Sequence, residues 1–186
     1  MELQDIRKAL KILESSPEFA SLIPEVRSNL VMSKLSPRGI EDVAGIPGRI
    51  TVINQKPKTC AAPEYGASSH MARLILSIMK HDPEKRSAIN MKYNPSLVEI
   101  CQKLGLITSY YNRKDEPPKI RDKEGGTIPW GVQKAVERIG RVPDVIYHTG
   151  AWGKEPSLVL IGENPLEVVK TAICISKLYI QHSNYD

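Results

Sequence analysis

The chain has 186 residues, with 26 lysines and arginines against 21 aspartates and glutamates and a formal charge of +5, enough for one domain with a good core and too little for two. The basic residues are dispersed among acidic ones, and there is one phenylalanine, two tryptophans and no recognition helix or RNA-binding motif, so a small anionic ligand explains the excess and nucleic acid is not expected. Cys60, Cys101 and Cys174 lie far apart without a Cys-x-x-Cys, the start lacks a signal peptide's apolar core, and no run approaches the roughly 20 apolar residues of a membrane span; a cytoplasmic protein away from membranes is expected.

Leu3, Ile6, Leu10 and Leu13 repeat at three and four, predicting a helix over 2–14 that stops at Ser15-Ser16-Pro17. Its apolar stripe has three open destinations: the body of the domain, a second subunit, or an upstream domain. An irregular segment follows to residue 28, then a short strand at 29–33. The glycine-bounded loop Asp42-Val-Ala-Gly-Ile-Pro-Gly48 feeds a strand near 49–54, with Arg49 at its mouth. Arginine there suits a ligand site, though a surface charge has the same appearance.

The stretch from Gly66 to Asn90 organises the rest. Ser68 or Ser69 can cap a helix whose stripe is Met71, Leu74, Ile75, Ile78 and Met79. Gly66 and Ala67 keep the first turn free of bulk, so its N–H groups and two serine hydroxyls can meet a phosphate. His70 stands beside them, and the positive helix end favours its neutral form. A serine cap with a surface histidine accounts for the same residues. Asp82-Pro83 ends the helix, and 86–93 alternates as a strand with Ser87, Ile89, Met91 and Tyr93 on one face. The other face carries Arg86, Ala88, Asn90 and Lys92, a polar row expected to line a pocket.

Leu97 to Leu104 reads as a helix closed by Gly105, followed by a strand near 106–111. It empties into Arg113-Lys-Asp-Glu-Pro-Pro118 and the glycine loop 123–127, either a lid or a plain connector, before Pro129 opens the next helix to Ile139. Strands at 144–148 and 157–161 flank Gly150-Ala-Trp-Gly-Lys154-Glu155. There glycine N–H groups can approach an anion while Lys154 adds charge; a hairpin turn with a solvated Lys-Glu pair is the plainer reading. This is not a P-loop, since two residues rather than four separate its glycines. A last helix spans 164–181. The expected fold is a single α/β domain with a mixed central sheet of about six strands flanked by helices, parallel crossovers in the middle and a hairpin at the end. The switch-point rule would bring Arg49, the Ser68–His70 helix start and the Gly150 turn to one end of the sheet.

Five motifs in order, Asp42 to Arg49, Gly66 to His70, Arg86 to Asn90, Pro143 to Tyr147 and Gly150 to Pro156, resemble the ThiN-type thiamine-phosphate synthases. The likeness spans roughly 25–175, which divides the chain into a helix and connector at 1–24 and a synthase-like domain at 25–186. The resemblance implies joining of hydroxymethylpyrimidine diphosphate to hydroxyethylthiazole phosphate, with catalytic roles for Arg49 and His70. Ligand contacts follow more loosely for Ser69, Arg86, Asn90, Arg113, Gly150, Lys154 and Glu155; Ser68 and Lys92 join them from the local reading above. The family also supplies domains fused behind a hydroxymethylpyrimidine kinase and ligand-sensing domains of regulators, which makes a non-catalytic thiamine phosphate sensor the alternative. The short first segment leaves no room for a helix-turn-helix and favours the enzyme. Mg²⁺ is expected as companion of the diphosphate, with Asp144 and Glu155 as candidate helpers, while oligomeric state is open.

Overall fold

A computed structural model describes residues 1–183. In chain order come α1 (Glu2–Glu14), a 3-10 turn (Pro17–Leu22), β1 (Leu30–Ser33), β2 (Val43–Gly45), β3 (Ile50–Ile53), β4 (Lys56–Thr59), β5 (Glu64–Tyr65) and α2 (Ser69–Met79). Then follow β6 (Ser87–Lys92), α3 (Pro95–Lys103), β7 (Thr108–Tyr110), the short α4 (Pro118–Arg121), α5 (Thr127–Ile139), β8 (Val145–His148), β9 (Ser157–Gly162) and α6 (Pro165–Ser183). The mixed α/β domain is therefore present, with a seven-stranded sheet in the order β5-β2-β1-β6-β9-β8-β7.

Helices cover both faces of that sheet. On one, Ile6, Leu10 and Leu13 of α1 and Val169 and Ile173 of α6 pack with α3 over Leu30, Ile89, Met91 and Leu160. On the other, Leu74, Ile75 and Ile78 of α2 meet Val132 and Val136 of α5 over Val31, Ala88, Ile146 and Val159. The stripe of α1 is thus spent on the body of the domain, chiefly against α6.

Of the parallel crossovers expected in the middle, one forms, from β7 through α5 to β8, and the others do not. β1 with β6 and β6 with β9 are antiparallel, β8 and β9 make the expected hairpin, and among the described strands only β7 and β8 run parallel. The physical reason lies in the double cover. Leu158 to Ile161 are all buried, and an apolar run buried on both faces looks alike in either strand direction.

The strand at 49–54 forms but leaves the main sheet, pairing with β4 as a two-stranded ribbon. Its turn is Asn54-Gln55, both with positive φ (50° and 61°), the backbone of a primed hairpin turn without its usual glycine. Pro57 inside β4 further conceals the strand. The ribbon is tied to α1, because the Thr59 N–H and hydroxyl both donate to Glu14 Oε1, at 2.8 and 2.7 Å.

Candidate functional site

One end of the sheet gathers the start of β1, the end of β6, the start of β9, the end of β8 and the N-terminus of α2. Register makes this explicit: Leu30 pairs with Ile89, and Ser157 lies between Lys92 and His148. A cavity of about 220 Å³ opens there. Its walls carry Arg27, Arg49, Arg113 and Lys154 as cations, His70 and His148 as imidazoles, Ser68, Asn29 and Asn90 as neutral polar groups, and Glu155 as the single acid. Pro24, Val26, Met71 and Pro156 add apolar surface.

Arg49 is placed by a tight turn. Its N–H donates to Ile46 O at 3.1 Å across Pro47-Gly48, with Gly48 at φ 71°, the Pro-then-Gly pattern of a type II turn. A Cβ on Gly48 would come within 2.8 Å of Cys60 Cβ, so glycine is required there twice over. Arg49 itself has φ 71° and Arg27 φ 67°, conformations that cost a non-glycine residue on the order of 1 kcal/mol or more. The two loops clasp each other: the Arg49 guanidinium donates to Val26 O, the Arg27 guanidinium donates to Gly48 O at 3.4 Å, and Ser28 and Ile50 exchange backbone bonds. Their strain is held where two cations face the cavity.

Asn90 reaches the cavity wall, yet its amide is already engaged. Its Oδ1 accepts from Asn29 N–H at 2.7 Å and its Nδ2 donates to Arg27 O at 3.0 Å. Asn29 in turn holds Ile46 through both ends of its side chain, at 2.9 Å each. The pair therefore fixes the Arg27 and Arg49 loops to the sheet.

Ser68 caps α2 as expected, its Oγ accepting from Met71 N–H. His70 sits in the first turn and has its pKa lowered, foremost by desolvation and then by Arg49, Arg113, Arg73 and Lys154. Much of its surface is accessible toward the cavity, but the surrounding walls still remove hydration from a charged ring. Neutrality thus follows, with crowding and neighbouring cations as causes beyond the helix end. Across the cavity, His148 is pushed down to about 4 by desolvation, Arg113 and His70. Gly150 N–H donates to its Nδ1 at 3.2 Å, so the neutral ring carries its proton on Nε2.

Arg113 and Glu155 each carry a buried polar atom with no hydrogen-bond partner, Nε and Oε2 respectively; Ser28 Oγ is the third such side-chain atom among the described residues. The Arg113 guanidinium meets Glu116 Oε2 at 3.5 Å, and Glu116 also accepts from the Thr127 hydroxyl at the start of α5. Of the 113–127 segment, only Arg113 lines the cavity. Residues 151–154 form a tight turn with reciprocal Ala151 and Lys154 backbone bonds. Glu155 does not pair with Lys154; its Oε1 accepts from Glu25 N–H at 3.3 Å.

Seven expected residues thus meet in one cavity: Arg49, Ser68, His70, Asn90, Arg113, Lys154 and Glu155. Four do not line it. Ser69 is exposed on the helix outside the lining. Gly150 lies beneath, its N–H committed to His148 rather than free for an anion, and a Cβ there would stand 2.5 Å from Lys154 O. Arg86 precedes β6 and is buried beside Glu2 of α1, 4.0 Å away. Four residues of extended chain put it about 13 Å from Asn90, at the other end of the strand. Lys92 bends over the Tyr179 ring of α6, 4.8 Å from its centroid. The polar row on 86–92 is therefore no continuous pocket lining. Asp144 also lies elsewhere, bonded to Lys85 at 3.5 Å and Ile107 N–H at 3.0 Å. Arg27, Asn29 and His148 belong to the site without having been expected. Nothing local marks Arg27 as left-handed, and His148 reads as one more residue of an alternating strand.

Among the described residues no three His, Cys, Asp or Glu side chains converge as a metal cluster. None of the described helices is long and apolar enough to cross a membrane.

Comparison with known proteins gives one family. Residues 5–173 match the model described as Thiamine-phosphate synthase ThiN. A protein of Methanothermobacter thermautotrophicus named thiamine-phosphate synthase ThiN is 50% identical over 96% of this chain and 94% of its own. The bifunctional thiamine biosynthesis protein ThiDN of Methanocaldococcus jannaschii is 40% identical over 86% of this chain, which covers only 37% of that larger protein. A solved C-terminal domain of phosphomethylpyrimidine kinase superposes with a TM-score of 0.88 at 41% identity, over 94% of this chain and 97% of that one. The match begins at residue 5, within α1, and ends at residue 173, within α6: this chain belongs to the ThiN family of thiamine-phosphate synthases.

Proposed function

We infer that the chain is a transferase of thiamine biosynthesis, joining hydroxymethylpyrimidine diphosphate to hydroxyethylthiazole phosphate and releasing diphosphate. The observation that carries this is 50% identity across nearly the whole of a relative bearing the synthase name; the cavity supports it chemically. The thiazole nitrogen attacks the pyrimidine's exocyclic CH₂ as the C–O bond to diphosphate breaks and its electron pair leaves with the phosphate. The barrier lies in the charge gathering on that leaving group. Arg49, Arg113 and Lys154 line the cavity that would receive it, and the first turn of α2 with the Ser68 hydroxyl offers donors. His70, neutral near pH 7, donates one hydrogen bond to the departing oxygen without needing to lose a proton. His148 Nε2–H is a second neutral donor.

For Mg²⁺ the cavity offers a single carboxylate, Glu155, which is no site by itself. The ion would enter on the diphosphate's own oxygens, and excess chelator tests whether it is needed. A kinase domain on the same polypeptide, as in the phosphomethylpyrimidine kinase whose C-terminal domain superposes on this chain, would supply the diphosphate substrate.

Incubation with both phosphorylated substrates, scored for thiamine phosphate, is the decisive experiment. Turnover upholds the synthase; no turnover together with tight thiamine phosphate binding would leave the chain as a sensor.

A further inference from the structure

The cavity's two unpartnered buried atoms differ in kind. Arg113 Nε is a donor lacking an acceptor, and Glu155 Oε2 is an acceptor lacking a donor. A buried carboxylate oxygen left unsatisfied destabilises the empty site, so a ligand that satisfies it gains discrimination. Four cations line the same cavity, yet Glu155 makes no ion pair and holds only the Glu25 N–H through its other oxygen. The Glu25 N–H on Oε1, at 3.3 Å, ties the carboxylate to the loop before β1.

We propose that Glu155 is the specificity-determining residue for the pyrimidine substrate, its free Oε2 accepting a hydrogen bond from the ring's 4-amino group. The proposal rests on the synthase reading for the identity of the substrates. Of the two, only the aminopyrimidine carries an N–H; the thiazole ring has none, and its hydroxyl is esterified with phosphate. An amine donor therefore matches Glu155, while phosphate oxygens match Arg113 and are repelled by a carboxylate. Apolar Val26, Met71 and Pro156 lie on the same walls and suit a flat heterocycle.

The test compares hydroxymethylpyrimidine diphosphate with its analogue bearing hydrogen in place of the 4-amino group, in the unmodified protein and in Glu155→Ala and Glu155→Gln. By calorimetry without the thiazole phosphate, so that intrinsic reactivity does not enter, the unmodified protein should bind the amino substrate about a hundredfold more tightly, because the analogue strands the carboxylate. Glu155→Ala should reduce that preference to about threefold or less, while KM for the thiazole phosphate changes by less than about twofold. Glu155→Gln keeps a carbonyl acceptor in the same shape and should retain part of the preference, which guards against a folding defect in the alanine variant. An unchanged preference in Glu155→Ala, equal losses for both substrates, or a change confined to the Mg²⁺ requirement would overturn the assignment. Should the unmodified protein make no thiamine phosphate, the synthase reading falls by itself. Calorimetry with the unphosphorylated aminopyrimidine and its desamino analogue then decides. Amine-selective binding lost in Glu155→Ala upholds the role of Glu155, and equal binding of both compounds rejects it.

Discussion

Two concavities adjoin α2, and the larger has fewer of the marks of a reaction site. The groove on its outer flank, about 460 Å³, is bounded by Leu35, Pro37, Leu76, Met79, Pro83 and Pro129 with Arg38, Arg73 and Lys80 among them. None of its residues carries a buried side-chain polar atom left without a partner; Ser77 Oγ, for instance, donates to Arg73 O at 2.7 Å. The smaller cavity holds two left-handed arginines and two buried polar atoms without partners. Strain and unsatisfied groups persist only where the surrounding fold compels them, and a ligand can collect on both. Volume says where something fits; strained backbone and unmet hydrogen bonds say where something is needed.

The comparison breaks first at its strongest point. Arg49→Ala and His70→Ala should each lower kcat by about a hundredfold or more, roughly 2.7 kcal/mol in barrier, while thiamine phosphate binding weakens much less. Equal losses in rate and product affinity would make both ordinary binding groups. Next comes Asn90→Ala, which removes the bridge between Asn29 N–H and Arg27 O. It should cost about 2 kcal/mol in urea unfolding and slow turnover by loosening the Arg49 loop. Loss of stability with full activity would show that the loop holds itself.

Protons offer a gentler probe. His148 has its folded pKa lowered from 6.5 to about 4, so the unfolded chain binds more protons between those values. Its contribution to stability is complete above about pH 6.5 and fades as pH falls toward 4, with His70 acting in the same direction. Unfolding of His148→Gln should show a flatter pH dependence across that window, and an unchanged slope would remove His148 from the balance. Smallest of all is the groove: Leu35→Ser, at a residue 62% exposed, should leave kcat within about twofold, as an ordinary surface change does. A tenfold loss there would return the larger concavity to the mechanism.

Much of this was legible in sequence, for reasons that differ by residue. The α2 stripe and the Ser68 cap follow from periodicity and side-chain chemistry within one helix, so Ser68 and His70 were found where they stand. Gly48-Arg49 was legible as a turn into a strand, but the partner of that strand was not. Asn54-Gln55 adopts positive φ without glycine, and a hairpin written in those residues looks like plain loop. Strand direction was hidden because both faces of the sheet are buried. Arg86 and Lys92 were misplaced by extending alternation to the ends of β6, where Glu2 and the Tyr179 ring claim them. Arg27 and His148 meet the rest of the cavity through residues 20 or more positions away, such as Gly48 and Asn90 for one and His70 and Arg113 for the other, and no local pattern records such meetings.

The packing of α1 on α6 bears on how the protein is made. These are the first and last described helices, and their apolar stripes cover each other over one face of the sheet. On a ribosome α1 is made some 150 residues before α6, and until then the part of its stripe that α6 covers stays open. Contacts so distant in sequence close late and slowly. The ribbon that carries Arg49 hangs from Glu14 at the end of that waiting helix, so the cavity cannot be assembled from a partial chain. A product that stops short of α6 leaves that face of the sheet open, which marks it for chaperones and proteases.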